Sequence, residues 1–349
     1  MIIGLTGTNA AGKGTIVDFL KEKGFEHYTV RGYLTQQLEK IGLSINRPNM
    51  IDLANKLREQ HGPSYIVEQL CEQAKTKENA IIESIRCPGE ITALRQRSGF
   101  LLFGIDADPL IRYKRAIARA SETDRNKSYL TFLTEEQMEN DNKEPFKQNL
   151  IKCLEEADIF FLNNGELGEL QEKIKANSSF DSQGYLKRRP TWDETFMSGT
   201  YDWAARSTCL RRKVGAVIAT PEHEMVSQGY NGSPRGTPNC TDIGQCERQR
   251  MGVPSGQRLE TCRAVHAEPN AIINAGRHGK DVKSGILYCT TYPCQICSGI
   301  IVNAGIKEVV YEADYPNDQA KKTFADAGIT TRRFEGVRAS AFDKVFRQK

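Results

Sequence analysis

The chain has 349 residues, enough for two domains, and its 39% hydrophobic and 26% charged content is typical of globular proteins. The net charge of +4 without a long basic tract argues against a nucleic-acid substrate, although RNA stays open as a regulator. No apolar run approaches the ~20 residues that cross a bilayer, and residues 1–6 do not resemble a signal peptide. We therefore expect no membrane partner and a cytoplasmic location, where the ten cysteines bind metal or are buried.

The first predicted elements are a buried strand over residues 2–6 and a helix over residues 16–23, joined by a glycine-rich loop. The residues of the loop that carry the phosphate-binding pattern are Gly7, Gly12, Lys13, Gly14 and Thr15. Glycines let backbone N–H groups point at an anion, the helix N-terminus adds positive potential, and the lysine reaches the β- and γ-phosphates. The order of strand, loop and helix predicts a P-loop that binds ATP or a deoxynucleoside triphosphate (dNTP) with Mg²⁺.

Short apolar runs alternate with amphipathic stretches through the rest of the first half. The predicted strands cover residues 80–83, 100–105 and 159–162, and the predicted helices cover residues 51–61, 64–75 and 166–175. Such alternation is typical of a parallel sheet covered on both faces. We therefore predict an α/β fold with an N-terminal P-loop parallel-sheet domain over residues 1–178 and a linker over residues 179–190, which is rich in turn formers.

The first half resembles nucleoside monophosphate kinases over about 175 residues. The resemblance rests on the Gly-Lys-Gly-Thr sequence at residues 12–15, on Glu-Ser-Ile-Arg at residues 83–86, and on a segment after the third strand that contains Arg112 and Arg115. It implies that Arg86, Arg112 and Arg115 are kinase-like residues. The chain departs from the kinase pattern at Glu83, where Asp is usual, and in the lid near residues 118–127. A kinase and a nucleotide sensor without kinase activity both stay open.

The second half predicts a smaller α/β domain over residues 191–349. The predicted strands cover residues 214–219, 225–229, 285–290, 307–312 and 329–334, and the predicted helices cover residues 267–277, 294–304 and 317–327. The first two strands form a hairpin around residues 221–224. These elements predict a three-layer α/β/α domain with a mixed sheet.

A pattern of one His, one Glu and two Cys points to a catalytic zinc site in this domain. His266 precedes Glu268 by two residues, and Cys294 and Cys297 follow downstream with a Pro before the first Cys. This is the H-x-E and P-C-x-x-C signature of zinc nucleobase deaminases. Three protein ligands leave the fourth zinc position open for water, which indicates a catalytic rather than a structural metal.

Two other interpretations of the Cys pair are a redox centre and half of a zinc ribbon. A closed structural site needs a fourth ligand nearby, and the only close candidate is Cys289. Cys289 lies in an apolar run, where a buried strand residue is the simpler interpretation.

The second half also resembles deoxycytidylate (dCMP) deaminases. Four stretches carry the resemblance, and they cover residues 209–217, 229–236, 262–272 and 293–297. The sequence Gly-Tyr-Asn-Gly-Ser-Pro-Arg-Gly at residues 229–236 is the discriminating one, because Asn231, Ser233 and Arg235 supply donors suited to a sugar hydroxyl and a phosphate. Tyr292 is a candidate to pack on the pyrimidine ring, and a purely structural role in the wall of the site is the alternative.

The resemblance implies a zinc-dependent deaminase that converts dCMP to dUMP, with dCTP as a further candidate substrate, and that forms a homo-oligomer. In that chemistry zinc lowers the pKa of a water, Glu268 moves the protons, and C4 of cytosine is attacked. With the kinase-like half, the chain resembles bacterial kinase–deaminase proteins, some of which act in phage defence by destroying deoxycytidine nucleotides. Regulation through the P-loop domain, a bifunctional kinase–deaminase, and a nucleic-acid editor are the alternatives.

A second group of cysteines lies between the discriminating loop and the zinc helix. Cys240, Cys246 and Cys262 are candidates for a second, structural zinc, with His223 or Cys209 as a fourth ligand. Buried free thiols are the alternative.

Overall fold

The computed structural model describes residues 1–97, 99–119, 127–140, 148–180, 185–254, 257–315 and 318–346. The chain divides into two compact units, one formed by Met1–Arg189 with Gly336–Lys349 and the other by Pro190–Glu335. In the described part of the chain, no helix is both long and apolar enough to cross a membrane.

The first unit contains a sheet flanked by helices. Its strands are β1 (Ile2–Gly7), β2 (Glu26–Thr29), β3 (Ala80–Glu83), β4 (Phe100–Asp106) and β5 (Ile159–Leu162). Its helices are α1 (Lys13–Glu22), α2 (Val30–Lys40), α3 (Arg47–His61), α4 (Tyr65–Gln73), α5 (Pro88–Arg95), α6 (Pro109–Arg119), α7 (Tyr129–Asn140), α8 (Leu150–Glu155) and α9 (Leu167–Asn177). The strand order is β5-β4-β1-β3-β2. The strands are parallel, as the sequence predicts for this sheet, although β2 was not among the predicted strands.

Both faces of this sheet are buried. Successive strand residues point to opposite faces, so each strand contributes side chains to both apolar clusters. In β4, Leu101 and Phe103 belong to one apolar cluster, which also contains Ile16 of α1. Phe100 and Leu102 belong to another cluster on the opposite face. The near-continuous apolar composition of the strands follows from this double coverage.

The second unit is a mixed sheet with helices on both faces. Its strands are β6 (Gly215–Ala219), β7 (Met225–Tyr230), β8 (Ile286–Thr291), β9 (Glu308–Ala313) and β10 (Thr330–Arg333). Its helices are α10 (Trp192–Ala205), α11 (Cys240–Ile243), α12 (Glu247–Arg250), α13 (Ala267–Arg277), α14 (Gln295–Asn303) and α15 (Asp318–Asp326), with a short 3-10 turn at Leu259–Thr261. The order is β10-β9-β8-β6-β7, antiparallel around β6 and parallel from β8 to β10. The predicted three-layer arrangement is confirmed, with α10 on one face and α13, α14 and α15 on the other.

The end of the chain differs from the predicted domain assignment. The last elements, β11 (Gly336–Val337) and α16 (Ala339–Phe346), belong to the first unit and not to the C-terminal domain. β11 pairs antiparallel with β5, and α16 buries Val345 in the core that contains Ile159. Strand pairing between segments this far apart leaves no local sequence signal, so residues 191–349 could not be divided correctly from the pattern alone.

The predicted linker also differs from what the structure shows. Residues up to Arg189 belong to the first unit. Leu186 is buried in its core, and its N–H donates to Val345 O at 3.0 Å. Residues 181–184 lie outside the described part. Leu186 therefore ties the described part of this stretch to the core of the first unit.

Candidate metal centre and active site

Three metal-binding side chains lie at the N-termini of two adjacent helices. His266 is the N-cap residue of α13, Cys294 is the N-cap residue of α14, and Cys297 follows in the first turn of α14. The Sγ atoms of Cys294 and Cys297 each lie 3.4 Å from His266 Nδ1. Their three ligand atoms lie within 4.8 Å of one another, and no other such cluster of three or more His, Cys, Asp or Glu occurs within the described residues.

The spacing and the chemistry of this triad fit a zinc ion. A nitrogen and a sulfur bound tetrahedrally to zinc lie about 3.6 Å apart, close to the observed separations. Hydrogen bonds with Cys297 and with His266 lower the pKa of the Cys294 thiol to about 4, which favours the thiolate that a metal requires. With one imidazole and two thiolates, a fourth zinc position is left for a water or a substrate.

Close packing of α13 on β7 fixes the position of the histidine. A Cβ atom at Gly229 would lie 2.4 Å from Ala267 O and from Ala271 N, so only glycine allows this approach. Ser227 Oγ donates to Ala271 O at 2.6 Å, and Asn270 Nδ2 donates to Tyr230 O at 2.8 Å. The first turn of α13 is therefore held against the strand at several points.

Glu268 is the acid–base candidate in that first turn. Its side chain is buried, with 4% of the residue exposed, and it lines the same cavity as His266 and Cys294. Burial raises the pKa of its carboxyl group, and the positive charge of His266 partly opposes this. A buried carboxyl group in the same cavity as the triad is placed to accept and donate protons there.

The cavity beside the triad has a volume of about 100 Å³ and is lined by three arginines, Arg211, Arg212 and Arg248. Arg248 is buried, and its Nη2 donates to the carbonyls of Pro254 and Gln257, while its Nε has no hydrogen-bond partner among the described residues. None of these three arginines was predicted from the sequence. The adjacent pair at 211–212, just before the first hairpin strand, was the available signal, whereas Arg248 lies in the four-residue helix α12, which is too short to give a periodic pattern.

Comparison with known proteins relates this geometry to a family. A family model described as the cytidine and deoxycytidylate deaminase zinc-binding region matches residues 190–313. The deoxycytidylate deaminase of Schizosaccharomyces pombe is 31% identical over 335 residues, which cover 95% of this chain and 97% of that protein. The chain belongs to the deoxycytidylate deaminase family.

Other deoxycytidylate deaminases match shorter parts of the chain. The Saccharomyces cerevisiae enzyme is 37% identical over 199 residues, 54% of this chain and 62% of that protein. The crystal structure of dCMP deaminase from the cyanophage S-TIM5 in complex with dCMP and dUMP is 26% identical, with a TM-score of 0.35, and covers 42% of this chain and 99% of that chain. The match with the S. pombe protein extends over both units, so the first unit is shared with a deoxycytidylate deaminase.

Two of the four residues predicted to bind substrate line the deaminase cavity. Asn231 lines it, but its Oδ1 accepts from Ser207 Oγ and Val214 N, and its Nδ2 donates to Arg212 O. Tyr292 lines it as well, and its ring packs edge-on against Tyr311, at 4.6 Å between centroids. Both residues therefore help to form the cavity wall through contacts within the protein.

The other two predicted substrate residues, Ser233 and Arg235, do not line the cavity. Ser233 lies beside Cys240. Arg235 is exposed, and its Nη2 donates to Asn274 Oδ1 at 2.9 Å. Of the three loop residues predicted to bind substrate, only Asn231 therefore lines the cavity.

The second cysteine group is brought together in the structure. Burial, followed by the neighbouring thiols of Cys209, Cys262 and Cys246, raises the pKa of Cys240. These four sulfurs do not form a ligand cluster within 4.8 Å among the described residues. His223 instead stacks on Trp192 at the hairpin turn, with ring centroids 4.9 Å apart, so Cys209 is the better fourth candidate. A second zinc stays a prediction.

Cys289 is confirmed as a strand residue. It lies in β8, it is fully buried, and burial raises the pKa of its thiol well above the usual value. An apolar environment of this kind makes a cysteine inert.

The glycine loop of the first unit is a turn with left-handed backbone at two positions. It connects β1 to α1, and both Ala10 (φ 59°) and Gly12 (φ 112°) have left-handed backbone conformations. Gly7 packs so tightly that a Cβ atom would lie 2.4 Å from Ile105 O, whereas nothing lies near a Cβ atom at Gly14. Lys13 Nζ donates to the carbonyls of Gly7 and Thr8 at 2.9 and 2.8 Å, and Thr15 N donates to Gly12 O at 3.1 Å.

The three predicted kinase-like arginines occupy different environments. Arg86 lines a large cavity beside Lys13. Arg112 is buried, and its guanidinium group pairs with Glu136 and with Asp106. Arg115 donates to the carbonyl of Asn163 at 2.9 Å. Part of the predicted lid, residues 120–126, lies outside the described residues.

Proposed function

We propose that this chain catalyses the hydrolytic deamination of dCMP, in which dCMP and water give dUMP and ammonia. The observation that carries the proposal is the triad of His266, Cys294 and Cys297 beside the buried carboxyl group of Glu268 in one cavity. The chain's membership of the deoxycytidylate deaminase family supports the nature of the substrate. When bound by the triad, zinc supplies Lewis acidity that lowers the pKa of a water toward neutrality.

Glu268 moves the protons of this reaction. Its carboxylate accepts a proton from the attacking water and delivers it to N3 of the pyrimidine ring as the C4–O bond forms. It then accepts the second proton from the new C4 hydroxyl group and transfers it to the amino group, so that the C4 carbonyl forms, the C4–N bond breaks and ammonia leaves. Because Glu268 is buried at the cavity wall, bulk water does not compete for these transfers.

The arginines of the cavity support a phosphorylated substrate. Arg211 and Arg212 are exposed at its mouth, and Arg212 lies over the ring of Tyr315, 5.7 Å from the ring centroid. A guanidinium group held in this way presents two parallel N–H donors, which match a phosphate. We assign the 5′-phosphate to these arginines rather than to Arg235. Arg211 and Arg212 are equally suited to the phosphates of dCTP, so dCTP is a further candidate substrate.

Substitution of Glu268 by Gln tests the proposed chemistry. The amide keeps the size of the side chain but cannot accept a proton, so kcat for ammonia release from dCMP falls by about 10²- to 10⁴-fold, while bound zinc stays at the wild-type level. Glu224→Gln, at an exposed position in the hairpin turn, is the matched control and keeps full activity. A Glu268→Gln enzyme with wild-type turnover would refute the mechanism.

For the first unit we propose nucleotide binding at the loop formed by residues 7–15, with ATP or a dNTP and Mg²⁺ as ligands. The support is the left-handed backbone at Ala10 and Gly12, the start of α1 at Lys13, and the position of the loop after the central strand β1. Regulation of the deaminase through this unit, kinase activity, a homo-oligomer, a cytoplasmic location and a role in phage defence stay predictions from the resemblance.

A further inference from the structure

A buried serine contacts the wall of the deaminase cavity without lining the cavity itself. Ser207 follows α10, at the start of the loop that leads to β6 and carries Arg211 and Arg212. It is 6% exposed, and its hydroxyl donates to Asn231, with Oγ 2.6 Å from Oδ1 and 2.8 Å from the backbone oxygen. The same Oγ accepts from Cys209 N at 3.2 Å. Ser207 therefore joins the start of this loop to the residue that follows β7.

Asn231 is also tied to the other end of the same loop. Its backbone N–H donates to Val214 O at 3.2 Å, its Oδ1 accepts from Val214 N at 2.8 Å, and its Nδ2 donates to Arg212 O at 2.9 Å. Backbone N–H groups only donate and backbone carbonyls only accept, so the last two contacts fix which side-chain atom is the oxygen. The amide therefore has one orientation, and in that orientation Ser207 is a donor to its oxygen.

The loop held in this way presents the two arginines that we assign to the 5′-phosphate. The backbone carbonyl of Arg212 accepts from Asn231, and its guanidinium group lies over the ring of Tyr315. Arg211 Nη1 donates to Val253 O at 3.0 Å. Contacts within the protein thus hold both the backbone and the guanidinium groups. A site preorganised in this way loses less entropy when a ligand binds.

The hydroxyl of Ser207 is the contact in this arrangement that is made outside the cavity. Asn231, Arg211 and Arg212 all line the cavity, whereas Ser207 does not. Loss of the hydroxyl leaves the buried oxygen of Asn231 with one donor fewer and Cys209 N without this acceptor. A shift of about 1 Å in a group that positions substrate has a large effect on an enzyme, so the hydroxyl influences substrate binding from a distance.

We propose that Ser207 is a positioning residue for phosphate recognition, which acts through Asn231 and the loop backbone to hold Arg211 and Arg212 in place. This inference rests on the proposed deamination of dCMP, with the 5′-phosphate at these two arginines. It attributes part of the preference for a nucleotide over a nucleoside to a side chain outside the cavity.

Steady-state kinetics of ammonia release by the full-length, zinc-loaded chain tests the proposal. In Ser207→Ala, KM for dCMP should rise about tenfold while kcat stays within about twofold, because a positioned phosphate is bound equally in the ground state and the transition state. For deoxycytidine, which has no phosphate, kcat/KM should stay within about twofold of the wild-type value.

Thr208→Val is the matched control in the same loop. The Thr208 hydroxyl donates to Asn239 Oδ1 at 3.2 Å and not to Asn231. Both kinetic constants of this variant should therefore stay within about twofold of wild type. If Ser207→Ala does not fold, Ser207→Cys supplies the comparison, because its thiol is a weaker donor and should raise KM for dCMP by about threefold.

A double-mutant cycle separates positioning from general destabilisation. In a chain that carries Arg211→Gln and Arg212→Gln, adding Ser207→Ala should change KM for dCMP by less than about twofold, because residues that act together are not additive. Competitive inhibition gives the same comparison without catalysis. The inhibition constant of dUMP should rise about tenfold in Ser207→Ala, and that of deoxyuridine should stay within about twofold.

The proposal is overturned if Ser207→Ala leaves KM for dCMP unchanged, or if it lowers kcat/KM for dCMP and deoxycytidine by the same factor. It is also overturned if Ser207→Ala has the same effect with and without the two arginines. A wild-type chain that releases no ammonia from dCMP, or that uses dCMP and deoxycytidine equally well, would instead contradict the proposed function, so the two failures are distinguishable.

Discussion

At the scale of single residues, a buried ion pair holds two segments of the first unit together. Arg58 and Glu90 are both nearly inaccessible, and each forms hydrogen bonds with the other or with backbone N–H groups. Removing one partner of such a pair costs more than the pair contributes, because the remaining charge stays buried and unpaired. Neither residue is signalled by the local sequence, since the two lie 32 positions apart.

Glu90→Ala should therefore destabilise the first unit by about 3–5 kcal/mol. Urea unfolding followed by circular dichroism measures the change in the free energy of unfolding. Glu59→Ala is the matched control, because Glu59 is exposed on the same helix as Arg58. If Glu90→Ala lowers the free energy of unfolding by less than about 1 kcal/mol, the remaining charge of Arg58 is hydrated or finds another partner.

The charge of Lys13 should make phosphate binding in the first unit depend on pH. Burial, followed by the positive charge of Arg86, lowers the pKa of Lys13 to about 8, with Arg112 acting in the same direction and Glu83 and Asp106 opposing it. The lysine therefore loses its charge as the pH rises through about 8. Affinity for ATP should fall up to about tenfold between pH 7 and pH 9, as measured by titration calorimetry.

Lys13→Arg provides the control for this pH dependence. Arginine keeps its charge throughout this range, so any residual affinity of the variant should be insensitive to pH. A wild-type affinity that is also flat from pH 7 to pH 9 would show that Lys13 does not contribute its charge to binding.

At the scale of elements, the contact between β7 and α13 positions His266, one of the three proposed zinc ligands. His266 and Glu268, the proposed proton carrier, lie at the start of α13, and the strand approaches this helix through Gly229. Any side chain there would displace the helix, because the atoms that a Cβ would meet belong to the backbone. If the first turn of α13 shifts, His266 moves relative to Cys294 and Cys297.

Gly229→Ala should reduce both zinc affinity and deamination. Overpacking of this kind costs about 1–3 kcal/mol, and we expect kcat/KM for dCMP to fall more than about tenfold as the histidine moves. Zinc content is measured by atomic absorption after dialysis. Gly276→Ala on the same helix is the matched control, since nothing lies within 4 Å of its added Cβ. Equal activity of the two variants would show that α13 tolerates the displacement.

At the scale of the whole molecule, the chain does not divide into two consecutive domains. It leaves the first unit at Arg189, forms the second unit, and returns at Gly336 to add an edge strand and a helix to the first. Val345 of α16 is fully buried in the core of the first unit together with Ala341. β11 and α16 thus stabilise the unit that begins the chain.

Val345→Asp should destabilise the first unit by about 4 kcal/mol, because it buries an unpaired charge. Hydrogen exchange followed by mass spectrometry should show lost protection in β1 and β4, with β8 and α13 unchanged. Ser340→Asp, at an exposed position of the same helix, is the control. Loss of protection in the second unit alone would contradict this assignment of α16.

The sequence predicted most of the regular structure, for identifiable reasons. The strands at β1, β3, β4 and β5 are short apolar runs buried on both faces, and α13 coincides with its predicted range. The element β2 was missed, because its four residues, which include Glu26 and His27, lack an apolar run. A strand at the edge of a sheet tolerates polar residues. Whether a strand lies at the edge depends on how the whole sheet is assembled and not on the sequence of that strand.

The sequence by itself determined the chemistry that this protein can perform. His266, Glu268, Cys294 and Cys297 are recognisable from type and spacing, because zinc chemistry restricts both and the spacing places each ligand at a helix start. Only the tertiary structure decided which further side chains share their cavity, namely Arg211, Arg212 and Arg248 rather than Ser233 and Arg235. It also decided that β11 and α16 complete the first unit, and that Arg31, Arg58 and Arg86 line one cavity. The physical reason is the same in each case, since contacts between residues far apart in the chain depend on how strands pair and helices pack, and a local pattern does not encode them.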